Sequence, residues 1–405
     1  MEQKILFIFH EDTRTGAPNA LLSFLNYLKE HHANDFVIDI FVLRSVNGEL
    51  EPELRKIARK FYIKRKKKSI KVKILNAFKP TSSILFGLQM VNKYDLIYGN
   101  TILTLKYLSQ IKQKFPKVKT LLHAHESTYL TSLFLDTKKA TQQFKLIDKI
   151  FTVANQAKNN LFENYSVNPH KISIIYPTVS KTETAQVNNP LKERYSKFDL
   201  VLINIGQPIL TKGTDLIPQI ANILRKRNPV LKFKIIVVGI LNDSDYLKSI
   251  KLDIAKLQLN EYIELVPHTK TPMNYLEISN ACLIPAREES FSLIGVHAAV
   301  FEKPIVAFKN ALGILDIFDE DCTFQANYLD IEDFVKQIEM IYNNPELVKQ
   351  KTILAHRKYN DILDSDKINE EHFIKLSILL AIRINYILKN IYRFFSLVLM
   401  IKIVS

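Results

Sequence analysis

The 405-residue sequence contains few cysteines and few glycines. Its 2 cysteines, Cys282 and Cys322, exclude a disulfide scaffold and a zinc or iron–sulfur site built from several cysteines. Its 9 glycines form neither the G-x-G-x-x-G dinucleotide fingerprint nor a Walker A sequence. The sequence therefore lacks the main motif that would indicate a nicotinamide-dependent enzyme. The first residues pass directly into Ile5–Phe9, an apolar run too short for a secretory signal peptide. We therefore expect a protein of the reducing cytoplasm.

Apolar runs alternate with helical stretches along both halves of the chain. The runs are rich in Val, Ile, Leu, Phe or Tyr, as expected for strands of a parallel sheet that is covered on both faces. The predicted strands of the first half are Ile5–Phe9, Val37–Leu43, Asp95–Tyr98, Val118–His123, Lys149–Val153 and Ile172–Tyr176. Those of the second half are Leu200–Ile205, Phe233–Val238, Ile263–Val266, Ala281–Ile284 and Pro304–Phe308. This alternation predicts the α/β class, with two doubly wound, Rossmann-like domains facing a cleft.

A change in composition marks the domain boundary. Residues 181–198 are polar, poor in strand-forming residues and include Pro190, which is typical of a linker. We therefore predict a first domain over residues 1–180, a second over 199–370 and a C-terminal helical segment over 371–405. Because ligands of open parallel sheets bind outside the carboxyl ends of the strands, we expect the chemistry in the cleft.

Positive charge is concentrated in one segment. The net charge is +15, and Arg55–Lys79 contains twelve basic residues and no acidic one. Such a run is compatible with a solvated helix face, with nucleic acid or with an anionic membrane surface. Because few aromatic residues are interleaved for stacking on bases, we do not expect nucleic-acid binding.

The C-terminal segment is apolar and basic, since no acidic residue follows Glu371. Its longest uncharged stretch, Phe394–Ile401, is far shorter than the roughly 20 residues of a membrane-spanning helix. A single polar stripe recurs at helical spacing and consists of Asn385, Lys389, Arg393 and Ser396. This pattern predicts an amphipathic helix that lies on a membrane surface or packs on another domain.

Two glycine-containing loops lie between a predicted strand and a predicted helix. Gly16 follows the first strand, and Gly206–Gly213 follows the strand that ends at Ile205. A glycine lets the backbone approach a ligand, and a helix N-terminus favours an anion, although an ordinary turn glycine is the alternative. Lys212, directly before Gly213, can present an ammonium group to a phosphate.

A third loop follows the strand Ala281–Ile284. It carries the carboxylates of Glu288 and Glu289 immediately before a helix predicted to begin near Ser292. Carboxylates here can accept hydrogen bonds from sugar hydroxyls, while the helix N-terminus faces phosphate oxygens. The alternative is that both residues only favour the start of a helix.

In their order along the chain, these motifs resemble those of the family-4 retaining glycosyltransferases with the GT-B fold, from Lys4 to about Ile362. The family's glycine-rich first loop corresponds to Gly16-Ala17, and its His-Asp/Glu pair at the end of a strand to His125-Glu126. Its Gly-Arg-x4-Lys-Gly loop corresponds to Gly206–Gly213, and its Arg-Glu-Glu-x-Phe-Gly-Leu segment to Arg287–Leu293.

The resemblance implies a role for each matching residue. Lys212 neutralises the diphosphate of the donor, Glu289 holds the donor sugar, and His125 is the polar group at the reacting centre, with His123 on the same strand face. The implied donor-binding residues are Gly16, Gly206, Gln207, Lys212, Glu288, Glu289, Ser290, Phe291, Ser292, Leu293 and His297. On the acceptor side the resemblance implies Ala17, Asn19 and Glu126. It implies no metal and no cofactor, with a nucleotide sugar as donor substrate.

Four positions depart from the family pattern. Gln207 replaces the usual Arg, and His297 replaces the second Glu of a Glu-x7-Glu motif, where it can still accept one hydrogen bond. Ser292 and Glu302 each replace a usual Gly. These changes concern donor affinity and nucleotide identity more than the fold.

Three functions follow as hypotheses. The first is a retaining glycosyltransferase acting on a cell-envelope, polysaccharide-type or lipid-linked acceptor, bound peripherally at the inner face of the plasma membrane. The second, which Gln207 and His297 favour, is a GT-B partner subunit with weakened or lost turnover. The third is a nucleotide-sugar epimerase of the same fold.

Overall fold

A computed structural model of the chain describes residues 2–64, 91–179 and 189–380, with only the backbone of Asn92. The described residues exclude most of the basic run Arg55–Lys79, most of the first half of the predicted linker and the tail after residue 380. The predictions that rest on the basic run and on the amphipathic tail are therefore sequence-based.

The first domain is built on a parallel sheet of seven strands in the order β3-β2-β1-β4-β5-β6-β7. The strands are β1 (Gln3–Phe9), β2 (Phe36–Val42), β3 (Lys60–Ile63), β4 (Leu96–Asn100), β5 (Lys119–Ala124), β6 (Lys149–Thr152) and β7 (Ile172–Ile174). The helices are α1 (Gly16–His31), α2 (Glu51–Ile57), α3 (Leu105–Lys114), α4 (Thr128–Phe134), α5 (Thr137–Leu146) and α6 (Asn155–Tyr165). Successive side chains of β1 enter different cores, since Phe7 belongs to one apolar cluster and Ile8 to another. The sheet is thus covered on both faces, as its continuous apolar strands predict.

The second domain contains a parallel sheet of six strands in the order β10-β9-β8-β11-β12-β13. The strands are β8 (Leu200–Ile205), β9 (Phe233–Ile240), β10 (Ile263–Pro267), β11 (Ala281–Ile284), β12 (Ile305–Phe308) and β13 (Phe324–Ala326). The helices are α7 (Leu191–Tyr195), α8 (Ile217–Arg227), α9 (Asp245–Lys256), α10 (Pro272–Ile278), α11 (Leu293–Val300), α12 (Ile331–Asn343) and α13 (Pro345–Lys358). The predicted pair of doubly wound domains is confirmed.

The last described helix, α14 (Ser365–Leu380), returns from the second domain to the first and begins before residue 371. Its side chains Phe373 and Leu376 join the core that also contains residues of α1. Two aromatic stacks fix it, each with ring centroids 3.6 Å apart: His372 on Phe24, and Phe373 on His32. The start of the C-terminal segment therefore packs on the first domain, which is one of the two placements that its sequence allows.

None of the helices in the described part of the chain combines the length and the hydrophobicity that a membrane span requires.

Candidate active site

The loop after β8 brings Lys212 to Glu289 of the loop after β11. Lys212 Nζ lies 2.6 Å from Glu289 Oε1 in an ion pair that is mostly shielded from solvent. The turn depends on glycine, because Gly213 has a φ of +64° and a Cβ there would lie 1.8 Å from the carbonyl oxygen of Pro285. A Cβ at Gly206 would meet Lys212 Nζ at 3.2 Å, so this glycine leaves room for the ammonium group.

A second ion pair joins the same two loops. Both Arg287 guanidinium Nη atoms donate to the carboxylate of Asp215, at 2.7 and 2.8 Å. Burial raises the pKa of Asp215, but hydrogen bonds from Arg287 and Tyr246 outweigh that effect and leave the pKa below its usual value. The backbone N–H of Arg287 also donates to the Thr211 carbonyl oxygen at 2.8 Å. These contacts hold the loops at a fixed separation and so position Lys212 against Glu289.

Residues 290–293 lead from this ion pair into α11. Ser292 has a φ of +91° although it is not a glycine, and its buried Oγ has no hydrogen-bond partner among the described residues. Phe291 is buried beside Tyr176 of the first domain, with ring centroids 5.7 Å apart. A Cβ added at Gly16 would lie 3.7 Å from Cδ1 of Leu293. The first residue of α1 therefore faces the first residue of α11 across the cleft.

Gln207 and His297, which both depart from the family pattern, differ in their environment. Gln207 is exposed at the start of the loop after β8. His297 lies within α11, where burial lowers its pKa to about 4. Its imidazole is therefore neutral at neutral pH.

His125 follows β5 and belongs to a cluster of histidines rather than to the Lys212–Glu289 pair. Its ring centroid lies 4.0 Å from that of His123, and His123 Nδ1 lies 2.6 Å from the hydroxyl of Tyr98. The Tyr98 hydroxyl also lies 3.2 Å from Nε2 of His372 in α14. Within the described ranges, no hydrogen bond, ion pair or ring contact joins His125 to Lys212 or Glu289.

Burial keeps these imidazoles neutral. It lowers the pKa of His125 to about 3, and the nearby charge of His10 acts in the same direction. It also lowers the pKa of His123 and of His372 well below the usual value. The Nε2 atom of His125 is buried, and among the described residues it has no hydrogen-bond partner.

The predicted acceptor-side residues make hydrogen bonds within the first domain. Glu126 Oε2 accepts from the N–H groups of Ile102 and His125, at 3.1 and 2.9 Å. Burial raises the pKa of Glu126 to about 7, although these N–H groups favour the carboxylate. Asn19 donates to the Arg14 carbonyl oxygen at 3.0 Å, and the Ala17 carbonyl oxygen accepts from Asn100 at 2.9 Å.

Glu288 connects the two domains. Its carboxylate accepts from the N–H groups of Thr128 and Tyr129, at 3.0 and 2.8 Å, and so caps the N-terminus of α4. Asp316 of the second domain caps α6 in the same way, because its Oδ2 accepts from the N–H of Asn155 at 2.7 Å.

Sequence reasoning missed two residues of this region. Asp316 follows β12 in a short helical turn and matches no motif, so no sequence signal indicates its contact with Asn155. His10 immediately follows β1, and the strand-end position that singled out His125 could also have identified it. Its Nδ1 atom is buried, with no hydrogen-bond partner within the described ranges.

Among the residues that the structure describes, no group of three or more His, Cys, Asp or Glu side chains is arranged to hold a metal ion. That the protein uses no metal stays a prediction.

Comparison with known proteins gives consistent matches. Residues 189–357 match the family model "Glycosyl transferases group 1". An uncharacterized glycosyltransferase of Haemophilus influenzae is 27% identical over 207 residues, which cover 50% of this chain and 54% of that protein. The alignment thus spans about half the length of this relative. The capsular polysaccharide biosynthesis glycosyltransferase CapH of Staphylococcus aureus is 23% identical over 303 residues, covering 73% of this chain and 78% of CapH.

The fold matches a solved structure over nearly the whole chain. The crystal structure of Anabaena HepE in complex with UDP and glucose superposes with a TM-score of 0.75 at 15% identity, covering 93% of this chain and 100% of HepE. At that identity the likeness shows the fold, which is the predicted GT-B architecture. Together with the group 1 domain of residues 189–357, these matches support a GT-B glycosyltransferase.

Proposed function

We propose that the protein is a retaining, family-4-type glycosyltransferase that moves a sugar from a nucleotide-activated donor to a glycan or lipid-linked acceptor of the cell envelope. The observation that carries this proposal is the contact of Lys212 with Glu289 at 2.6 Å, at the carboxyl ends of β8 and β11. The contact supports the proposal because a lysine ammonium can bind a diphosphate and a carboxylate can accept hydrogen bonds from sugar hydroxyls. The UDP and glucose bound by HepE and the capsular role in the name of CapH support the donor and acceptor classes.

The chemistry requires stabilisation of a leaving group. When the bond between the anomeric carbon and the diphosphate oxygen breaks, the electron pair stays on the diphosphate. Lys212 and the N-terminus of α11 stabilise that charge as it develops, which lowers the barrier without a metal. Because the Lys212–Glu289 pair is mostly shielded from solvent, its electrostatic interactions are stronger than they would be in water.

His125 contributes a hydrogen bond rather than proton abstraction. A pKa of about 3 makes its imidazole a weak base at neutral pH. Its Nε2 lacks a partner among the described residues but is buried, so a substrate hydroxyl reaches it only after the surrounding side chains move.

Calorimetric titration with nucleoside diphosphates, followed by transfer assays with the matching nucleotide sugars, tests the proposal. We expect one nucleoside diphosphate to bind and its sugar to be transferred with retained anomeric configuration, as read by NMR of the product. A bound ligand at a hundred times its Kd should stabilise the fold by about 2.7 kcal/mol, which gives an independent thermal readout. An inverted product, or hydrolysis of the donor with no transfer to any acceptor, would contradict the proposal.

A catalytically weakened partner subunit is the second candidate, because Gln207 and His297 replace charged residues of the family pattern. The exposed position of Gln207 allows a direct test, since Gln207→Arg adds a cation to the loop that holds Lys212. If the site is a weaker version of the family's, this variant should bind a nucleoside diphosphate more tightly. Absence of binding by both forms would favour the partner subunit.

We also propose that the protein works on an anionic membrane surface on the cytoplasmic side. The support comes from the sequence, where the basic run Arg55–Lys79 and the apolar, basic residues 383–405 supply the two signals that stable peripheral binding needs. Co-sedimentation with vesicles should require anionic lipid and weaken at salt concentrations that shorten the Debye length below about 10 Å. Equal binding to neutral and anionic vesicles would overturn this placement.

A further inference from the structure

A cavity of about 690 Å³ lies between the domains, and the Lys212–Glu289 pair does not line it. Its first-domain wall includes Tyr129 and Gln156, and its second-domain wall includes Glu288, Lys309, Asn310 and Tyr328. Of the residues predicted to bind the donor, only Glu288 reaches this cavity. A volume between about 300 and 1,000 Å³ is that of a small-molecule site.

The charged groups around the cavity are already compensated. Arg287 is paired with Asp215, and Lys309 Nζ lies 2.9 Å from a carboxylate oxygen of Glu320. Glu288 accepts hydrogen bonds from the N-terminus of α4. With both of these ion pairs neutral, the Glu288 carboxylate gives the cavity lining a net negative charge, which disfavours a diphosphate and makes a neutral ligand the better fit.

Two tyrosines and two amides give the cavity its chemistry. Tyr129 of the first domain is 46% exposed, and Tyr328 of the second domain is 53% exposed. Half-exposed aromatic rings offer apolar faces, and the amides of Gln156 and Asn310 offer both donors and acceptors. A pyranose ring needs this combination, because its C–H faces are apolar while its edge carries hydroxyls.

The backbone holds the second-domain wall in place. Asn310 has a φ of +59°, and Leu329, directly after Tyr328, has a φ of +58°. Non-glycine residues keep this left-handed conformation only where the surrounding structure fixes it, and such positions are concentrated at functional sites. The Tyr328 ring also meets the Phe308 ring edge-on, with centroids 6.1 Å apart.

From this geometry we propose that the cavity binds neutral sugar units of the acceptor, beyond the unit that receives the new sugar. The inference rests on the proposed function for the identity of the ligand as an acceptor, and it adds a subsite that uses residues of both domains. Both domains then build the subsite, because Tyr129 belongs to the first domain and Tyr328 to the second.

The test uses the full-length protein with Tyr129→Ala and Tyr328→Ala, and with Tyr342→Ala as the matched control. Tyr342 is a 47% exposed tyrosine on α12 that does not line the cavity. The probes are a panel of neutral trisaccharides, read by saturation-transfer NMR, and UDP, read by calorimetry. We expect the two cavity variants to bind a trisaccharide at least fivefold more weakly, with unchanged UDP affinity, and Tyr328→Phe to keep most of the binding.

Each contrary outcome has a separate meaning. No trisaccharide binding by the unmodified protein, or equal binding by all variants, overturns the inference. Loss of UDP affinity in the cavity variants also overturns it, since the cavity would then hold the nucleotide. Trisaccharide binding that depends on the two tyrosines, without any sugar transfer, would leave the subsite standing and contradict the proposed function instead.

Discussion

At the scale of single residues, Lys212 has the most direct consequence for activity. If its ammonium stabilises the leaving diphosphate, Lys212→Ala should lower turnover roughly 100-fold or more, as loss of a transition-state contact does. The measurement is the rate of sugar transfer at saturating donor. Lys251→Ala is the matched control, because it removes a lysine from an exposed ion pair with Asp243, at 2.7 Å, elsewhere in the same domain. A variant of Lys212 with unchanged turnover would remove this residue from the mechanism.

The sequence indicates candidate residues, whose roles stay predictions, but it does not indicate their partners. Lys212 and Glu289 were assigned to one donor site, and the structure places their charged atoms in contact. Glu288, in contrast, accepts hydrogen bonds from backbone N–H groups of the other domain, at Thr128 and Tyr129. A contact of this kind leaves no sequence signal, because any residue can provide a backbone donor.

At the scale of elements, the end of α11 explains why glycine is usual at position 302. Glu302 has a φ of +51°. Its backbone N–H donates to the carbonyl oxygen of Ala299 at 3.2 Å, and the N–H of Lys303 donates to the carbonyl oxygen of Ala298 at 2.8 Å. These two hydrogen bonds form the Schellman pattern of a helix end. Glu302→Gly should therefore stabilise the fold by about 0.5–1 kcal/mol, since it relieves the left-handed strain at some cost in unfolded-state entropy.

The thermal midpoint measures this gain, and Glu302→Ala is the matched control. Both variants remove the carboxylate, but only glycine removes Cβ. We expect a rise of about 2 °C for glycine and none for alanine. An equal rise in both would assign the effect to charge rather than to backbone conformation.

The packing of α14 on the first domain predicts a dependence of stability on pH. His123, His125, His297 and His372 have pKa values lowered by burial, to about 3 for His125 and about 4 for His297. Below about pH 6.5 the unfolded chain binds protons that the folded protein does not, so stability falls as the pH falls. Glu126, with its pKa raised to about 7, acts in the opposite direction, but it opposes five histidines, since burial lowers the pKa of His10 as well.

Urea unfolding at about pH 7 and about pH 5.5 checks this prediction, with an expected loss of at least about 1 kcal/mol. His372→Phe keeps an aromatic ring on Phe24 and removes one titrating group. The slope of the unfolding free energy against pH should therefore decrease by the equivalent of about one proton. His170→Phe, at an exposed histidine, is the matched control. A stability that does not change across this pH range would contradict the prediction.

Strands were predictable where they form continuous apolar runs, and these include the edge strands β7 and β10. β8 and β11 were predicted with their observed bounds because each is a continuous apolar run. β3 and β13 were not predicted. β3 lies within the basic run and begins with an exposed lysine, β13 has only three residues, and both are edge strands. β3 has no fully buried residue and β13 carries a glutamine at its centre, so neither forms the continuous apolar run that identifies the other strands.

At the scale of the whole molecule, two carboxylates of the second domain cap two helices of the first. Glu288 caps α4, and Asp316 caps α6. Helix N-termini carry unsatisfied N–H groups and a partial positive charge, and a lost cap costs about 0.5–2 kcal/mol. These contacts hold the cleft closed, and because they join residues about 160 apart in the sequence, no local pattern predicts them.

The combined Glu288→Gln and Asp316→Asn substitutions should therefore open the cleft while each domain stays folded. The expected result is a larger radius of gyration by small-angle scattering and a higher KM for the donor. Asp330→Asn is the matched control, because Asp330 caps α12 within the second domain by accepting from the N–H of Asp333 at 2.9 Å. Asp330→Asn should lower the thermal midpoint without changing the radius of gyration. If Glu288 served only to bind the donor, Glu288→Gln alone would raise KM and Asp316→Asn would not. Since both residues cap helices across the cleft, we expect the two single variants to change the radius and KM in the same direction.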